Sequence, residues 1–141
     1  MVVIQNQVED EFTPSKADLI SWSELALSNN QGDVTIRIVS VAEMQKINYK
    51  FRGFNSPTNV LSFPFEMPDI PSNELILGDV IICAQVVNQE AKQTIAHWAH
   101  ITLHGVLHIL GYDHINKKDE LIMTTKEIKL LSQLGFPNPY L

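Results

Sequence analysis

Three histidines in the stretch HGVLHILGYDH have a type and spacing that suit one metal ion. His104 and His108 are four residues apart, so on a helix their side chains share one face. Gly111 follows, and a glycine in the left-handed conformation can end a helix and reverse the chain. The reversal brings His114 back beside the pair, and we predict that these three imidazoles bind a zinc ion. Three protein ligands leave the fourth tetrahedral position open, as in catalytic zinc sites.

Two more histidines and one aspartate accompany the three predicted ligands. His100 and His108 would lie ~12 Å apart along a helix axis, too far to share one ion. We expect His97 to pack against the sheet with its polar tip hydrogen-bonded, whereas His100 is open between that role and contact with a ligand or substrate. Asp113 is expected to cap the turn or to orient a histidine.

The residue after the first ligand is Gly105, where a zinc peptidase carries a glutamate. Peptide hydrolysis needs that carboxylate to take a proton from water, and glycine cannot do so. Phosphodiester cleavage instead develops negative charge on phosphoryl oxygens, which a metal and an arginine can stabilise. An RNA substrate can supply its own 2′-hydroxyl, and zinc lowers the pKa of its water to ~7. The glycine therefore favours a phosphodiesterase over a peptidase.

Two carboxylates elsewhere are looser candidates for a base. Asp79 begins an apolar stretch, where capping of a strand start is an equally good explanation, and Glu66 follows a PF turn. Cys83 could close the metal site as a fourth ligand, which would make the zinc structural. Its apolar surroundings, GDVIICA, indicate a core residue instead.

The hydrophobic pattern predicts four strands. Residues 33–39 (DVTIRIV) alternate apolar and polar, as in a half-buried strand, and residues 78–84 are almost wholly apolar, as in a central one. Pro64 lacks a backbone donor, so its strand, residues 59–65, is predicted to lie at a sheet edge. A short strand is predicted over residues 2–7. The strand with Pro64 also carries side chains that could line an RNA groove, namely Asn59, Ser62 and Phe63.

Helical sequence separates and follows these strands. Ser40 and Glu43 form a capping box, which predicts a helix that ends near Tyr49 and a loop over residues 51–57. The predicted helices cover residues 13–28, 40–49, 85–110, with a break near 93–94, and 118–134. There are no repeats, linkers or low-complexity tracts. We therefore predict a single α+β domain over residues 1–141.

Composition and charge restrict the function. The chain has 141 residues, 45% of them hydrophobic, and we expect neither a membrane span nor a signal peptide, which predicts a cytoplasmic location. A net charge of −6 argues against a protein that coats nucleic acid non-specifically. A local basic site remains open, because Lys46, Lys50 and Arg52 lie together in QKINYKFR. Charge alone favours a structural explanation, in which cations at a helix end complement the helix dipole.

Three blocks of this sequence resemble the YbeY family, the bacterial endoribonuclease and rRNA maturation factor. The first is HWAHITLHGVLHILGYDH, and NYKFRGFNSPTNVLSFPFE and LGDVIIC also fit in the same order. The resemblance implies a zinc-binding α+β domain with a small, mostly parallel sheet. It also implies a single-strand-specific endoribonuclease that acts at the 3′ end of small-subunit 16S rRNA and in ribosome quality control. RNA and the small ribosomal subunit are then the expected partners.

The resemblance also carries residue roles. The metal ligands fall on His104, His108 and His114, and the family's functionally important arginine falls on Arg52. From the sequence alone, Arg52 is interpreted as a solvated loop residue. The resemblance instead favours an arginine that binds a phosphate through two hydrogen bonds. After Arg52-Gly53 the family pattern predicts a charged pair, but this chain has FNS, so fewer cations lie near the arginine.

Two other functions remain open from the sequence. One is a metal-dependent hydrolase of a peptide or a small molecule, which would not need Arg52. The other is a non-catalytic ribosome-assembly factor whose zinc stabilises the fold, which predicts unfolding on chelation and no turnover.

Overall fold

The computed structural model describes residues 1–65, 75–91 and 94–141. These residues form an α+β fold of four strands and five helices, so the predicted fold class is confirmed. No helix in the described ranges is both long and apolar enough to cross a bilayer. In chain order the elements are β1 (Val2–Asn6), α1 (Lys16–Leu27), β2 (Asp33–Val39), α2 (Val41–Arg52), β3 (Val60–Pro64), β4 (Ile76–Cys83), α3 (Ala84–Glu90), α4 (Thr94–Ile109) and α5 (Lys117–Gln133).

The strands form one mixed sheet in the order β1-β2-β4-β3. β1 and β4 are both parallel to β2, and β3 is antiparallel to β4, so the sheet is mostly parallel. As predicted, β4 is internal and the strand with Pro64 lies at an edge. The Cys83 amide donates to the Asn59 carbonyl, and the Phe65 amide donates to the Leu77 carbonyl. The backbone N–H and C=O groups of successive residues point to opposite sides of a strand. Those of Ser62 and Pro64 therefore point to the open edge, where proline leaves no amide unpaired.

The two faces of the sheet carry different helices. On one face α4 lies between α1 and α5, and the buried residues include Val34, Ile36, Ile38, Val80, Ile82, Trp98, Leu103 and Leu107. On the other face α2 covers a smaller cluster of Val39, Met44, Ile81 and Cys83. Side chains alternate between faces along a strand, so even-numbered residues of β2 and β4 meet the α4 face. Cys83 is fully buried in the smaller cluster, as the core interpretation predicted.

The helix boundaries confirm most of the predicted ones and correct two. α1 begins at Lys16 after its Ser15 cap, three residues later than the predicted start at residue 13. The Ser40 hydroxyl accepts the Glu43 amide at 3.2 Å, so the predicted cap is present. The predicted helix end near Tyr49 was wrong, because α2 continues to Arg52. Gly53 ends it in the left-handed conformation with φ 78°, and its amide donates to the Tyr49 carbonyl at 3.1 Å. Lys50 and Arg52 thus lie in the last helical turn, where cations favour the dipole.

The long helical stretch before the predicted ligands is divided, as expected. α3 ends at Glu90 and α4 begins at Thr94, and Ala91 between them is extended. The division frees α4 to take its own direction across the sheet. His100 and His104 of α4 then lie on the side that α5 approaches, where both contact Glu127.

Candidate metal centre

The structure brings together the three histidines of the predicted metal site. His104 and His108 lie on consecutive turns of α4, and Gly111, with φ 99°, reverses the chain directly after it. The Gly111 amide donates to the His108 carbonyl at 3.0 Å, which closes the helix end. His114 returns beside the pair, and the three residues offer ligand atoms within 4.8 Å of one another.

The donor atoms of this group suit a tetrahedral metal ion. Nε2 of His104 and Nε2 of His108 are 3.1 Å apart, and two nitrogens bound to one tetrahedral zinc would be ~3.3 Å apart. The ring centres of His108 and His114 are 5.0 Å apart, close enough for both rings to turn toward one point. His114 is exposed whereas the two helical ligands are half-buried, so the group opens to solvent on one side. The residues present therefore fit a three-histidine site with room for a further ligand.

The surroundings of His108 favour its neutral form. Burial lowers the pKa of His108, and the neighbouring charges of His104 and His114 lower it further, against a smaller opposing effect of Asp113. A metal binds the neutral imidazole, so a lowered pKa leaves the His108 nitrogen available at neutral pH.

Behind the histidines lies Glu127 of α5, a residue that the sequence analysis missed. Its side chain is 1% exposed, and Oε1 lies 3.2 Å from Nδ1 of His104. Oε2 accepts the Tyr140 hydroxyl at 2.8 Å and also contacts Nε2 of His100. A carboxylate at Nδ1 holds the imidazole proton there and leaves the Nε2 lone pair for a metal. Glu127 thus fixes both the tautomer and the orientation of His104.

The charge of Glu127 depends on the groups around it. Burial by itself would raise its pKa, but hydrogen bonds from His100 and His104 outweigh burial and lower the pKa to about 2. The group is therefore a carboxylate at neutral pH. Burial, together with the hydrogen bond to Glu127 and its charge, raises the pKa of Tyr140, so that the phenol keeps the proton it donates.

The sequence contained one indication of the role of Glu127, because this glutamate lies among apolar residues on one face of a helix. The buried side chains of α5 include Met123, Leu130 and Leu131, and Glu127 shares their face. A carboxylate is almost never fully buried without a partner, so its place on this face implied buried donors. The sequence did not show which donors, because His100 and His104 lie 27 and 23 residues away.

The three other polar residues near the predicted ligands have contacts within the protein. Nε2 of His97 lies 2.9 Å from Oε1 of Glu90, so its polar tip is satisfied as expected. Asp113 accepts the His114 backbone amide at 2.7 Å, which agrees with the capping role. His100, whose role the sequence left open, contacts the Glu127 carboxylate that also bonds to His104.

Asp79, one of the two loose carboxylate candidates, does not join the site. Asp79 is exposed on β4, and its odd position turns it to the α2 face of the sheet, opposite α4. It therefore cannot orient a histidine. Glu66 lies outside the described residues.

Close packing explains the glycine that follows the first ligand. A Cβ on Gly105 would lie 2.6 Å from Cγ1 of Val80 and 3.3 Å from Cγ2 of Val60. Val80 is fully buried and β-branched, so it has little freedom to move away. α4 approaches the sheet so closely here that a glutamate at position 105 cannot be accommodated without displacing the strand.

A cavity of about 400 Å³ lies between the histidines and the edge strand β3. The Ser62 hydroxyl lines it and donates to the Gly105 carbonyl at 2.9 Å, which joins β3 to α4. On the strand's open edge, Nη2 of Arg52 donates to the Ser62 carbonyl at 3.2 Å. Arg52 therefore lies at the rim, outside the residues that line the cavity. Its predicted loop position was wrong, since it is the last residue of α2.

Almost the whole chain matches one family of known proteins. The model of the family described as Endoribonuclease YbeY matches residues 4–135. The chain belongs to the YbeY family. A relative named Endoribonuclease YbeY, from Alcanivorax borkumensis, is 47% identical over 137 residues, and the match covers 90% of this chain and 78% of the relative. The YbeY resemblance predicted from the sequence is confirmed.

A solved structure supports the fold of this YbeY-family chain. The solution structure of TM1509 from Thermotoga maritima superposes with a TM-score of 0.63. The match covers 95% of this chain and 89% of that one, at 24% sequence identity. At this identity the likeness establishes the shared α+β architecture.

Proposed function

We propose that this protein is a zinc-dependent endoribonuclease that cuts single-stranded RNA during ribosomal RNA maturation. The observation that carries the proposal is the convergence of His104, His108 and His114 within a chain of the YbeY family. The nuclease activity follows the name of its 47% identical relative. The finer parts of the proposal are the 3′ end of small-subunit 16S rRNA, ribosome quality control, the small-subunit partner and the cytoplasm. These come from the family resemblance and stay predictions.

In this proposal the three histidines hold the ion, and Glu127 holds His104 in the tautomer that binds it. Zinc at such a site supplies a Lewis acid for phosphoryl oxygens and activates water near neutral pH. Arg52 supplies a second positive charge. One of its donors is bound to the Ser62 carbonyl, which fixes the direction of the guanidinium beside β3. Its remaining donors then clamp a phosphate of an RNA strand that runs along this edge.

The scarcity of carboxylates around the cavity also favours RNA over peptide as the substrate. Among the described residues that line the cavity, Asp113 supplies the only carboxylate, and its oxygen accepts the His114 amide. The packing around Gly105 leaves no space for the glutamate of a zinc peptidase. A substrate that carries its own 2′-hydroxyl needs no such residue.

The test is cleavage of a structured RNA with a single-stranded tail by wild type and His108→Ala, purified identically. Cleavage by wild type alone supports the proposal, since a contaminating ribonuclease would act in both preparations. Equal cleavage in the two, or none in either, contradicts it. Arg52→Ala should reduce cleavage while keeping its zinc, because Arg52 bonds to Ser62 and is not a metal ligand. Loss of zinc in that variant would contradict the role given to Arg52.

A further inference from the structure

An exposed aromatic surface lies at the end of α2, against the open edge of β3. The ring centres of Phe51 and Phe63 are 5.2 Å apart in an edge-to-face arrangement, and the Arg52 guanidinium lies 5.5 Å from the centre of the Phe63 ring. We call these three side chains the aromatic ledge. Phe63 is half-buried against the α2-side core, whereas Phe51 remains 57% exposed. Packing within the monomer therefore explains Phe63 but leaves most of the Phe51 ring in water.

The helix that carries Phe51, α2, is rich in cations from its middle onward, although the protein is acidic as a whole. Lys46, Lys50 and Arg52 account for three of the ten lysines and arginines, although the net charge is −6. Nζ of Lys50 lies 5.2 Å from the centre of the Phe51 ring. Since Lys50 is exposed, its ammonium can leave the ring for a phosphate when a base takes its place. Rings beside cations are the combination that binds single-stranded nucleic acid.

The segment after α2 adds one more exposed ring and is held in place. Phe54 in this segment is 66% exposed, and Tyr49 in the last turns of α2 is 62% exposed. The Asn48 side chain donates to the Ser56 carbonyl at 2.8 Å, and the Gln45 side chain donates to Oδ1 of Asn55 at 3.0 Å. These bonds tie the segment to α2, so its exposed ring lies on a fixed backbone.

The aromatic ledge is joined to the cavity through one residue of β3. Ser62 accepts from Arg52 with its carbonyl on the open edge and donates to Gly105 of α4 with its hydroxyl. Ser62 therefore contacts the ledge through Arg52 and also forms part of the wall of the histidine cavity. A strand of RNA that crosses the ledge on the α2 face would pass around the open edge of β3 to reach the cavity on the α4 face.

We propose that the aromatic ledge binds unpaired bases of the RNA next to the cut, with a base stacked on Phe51. Lys50 and Arg52 would neutralise the flanking phosphates. This inference rests on the proposed function, because it names where that substrate lies. Stacking is tolerant of sequence, since every base has an aromatic face, and a duplex cannot present an unstacked base. The ledge would therefore select for single strands.

The test measures RNA binding separately from cleavage. The probe is a fluorescein-labelled 2′-O-methyl oligoadenylate, whose blocked 2′-hydroxyl slows cutting, and binding is followed by anisotropy. Phe51→Leu keeps an apolar contact with Phe63 but removes the ring face, and Phe51→Tyr keeps the ring. Phe12→Ala is the matched control, because Phe12 is another exposed aromatic residue, 49% exposed, in the segment before α1. Thermal melts show whether each variant is folded.

Phe51→Leu should weaken binding by about 5- to 150-fold, as expected for the loss of one stacked base. Phe51→Tyr and Phe12→Ala should bind like wild type. Between about 50 and 200 mM salt, Lys50→Gln should reduce the slope of log affinity against log salt by ~0.7, whereas Phe51→Leu should leave it unchanged.

Binding by Phe51→Leu equal to that of wild type, or no binding by wild type, would overturn this inference. If Phe51→Leu binds RNA as tightly as wild type, the exposed rings are better explained as a surface that binds another protein. Cleavage of a tailed RNA by wild type but not by His108→Ala would still uphold the proposed function in either case. The two proposals can therefore fail separately.

Discussion

Glu127→Gln is the substitution that most directly probes how the fold prepares His104. Glutamine has the same shape, but one of its two terminal groups is an amide donor instead of an acceptor. If its oxygen faces Tyr140 and His100, its NH₂ group faces Nδ1 of His104. His104 must then move its proton to Nε2, which is the atom that lies 3.1 Å from Nε2 of His108.

The expected size of the effect follows from this change of tautomer. Replacement of a hydrogen-bond partner behind a metal ligand costs about 10- to 100-fold in metal affinity. This corresponds to ~1.4–2.7 kcal/mol of binding free energy. The opposite amide orientation does not avoid the loss, because the NH₂ group would then face the hydroxyl that donates from Tyr140.

The assay is competition for zinc with a chromophoric chelator at neutral pH. Glu24→Gln provides the matched control, because Glu24 is an exposed residue of α1 and its substitution changes the charge equally. We expect the control to bind zinc like wild type. Zinc affinity of folded Glu127→Gln equal to that of wild type would refute the orientation of His104 by Glu127.

The remaining predictions concern the packing and the metal. Gly105→Ala should lower the free energy of unfolding in urea by up to about 2 kcal/mol. Overpacking against Val80 costs ~1–3 kcal/mol, which exceeds the gain of ~1 kcal/mol in helix propensity. A variant more stable than wild type would contradict the close approach of α4 to the sheet. Gly111→Ala should cost ~1–2 kcal/mol in the same assay, because φ is 99°, and unchanged stability would contradict the turn. Tyr140→Phe should lower the free energy of unfolding by ~0.5–1.5 kcal/mol through the lost bond to Glu127, and no change would mean that this bond contributes nothing. Zinc at about 100 times its Kd should stabilise the protein by ~2.7 kcal/mol, which a chelator should reverse, and His114→Ala should respond to neither.

The parts of the fold that were predictable from the sequence follow from local patterns. The apolar run of β4 indicated an internal strand, and Pro64 indicated an edge, because each depends on which hydrogen bonds a strand must make. The convergence of His104, His108 and His114 was also predictable, since a helical spacing and one glycine turn determine it. The end of α2 was misplaced by three residues because Gly53, not the helical pattern near Tyr49, terminates the helix.

The parts that the sequence did not predict depend on contacts between distant segments. The role of Glu127 requires α5 to pack beside α4, and its three partners lie 13, 23 and 27 residues away. The reason for Gly105 is the closeness of Val80, which only the packed structure shows. The position of Arg52 at the rim depends on a bond to Ser62, ten residues further on. Its role in phosphate binding stays a prediction.

The central claim is that the three histidines form the active metal site, and a zinc titration of activity tests it most directly. Metal-free protein is given increasing amounts of zinc, and cleavage of an RNA with a single-stranded tail is measured at each step. The account predicts that wild-type activity rises to a plateau at one zinc per chain and that His108→Ala stays inactive throughout. Activity that is independent of zinc, or that rises equally in His108→Ala, would contradict it.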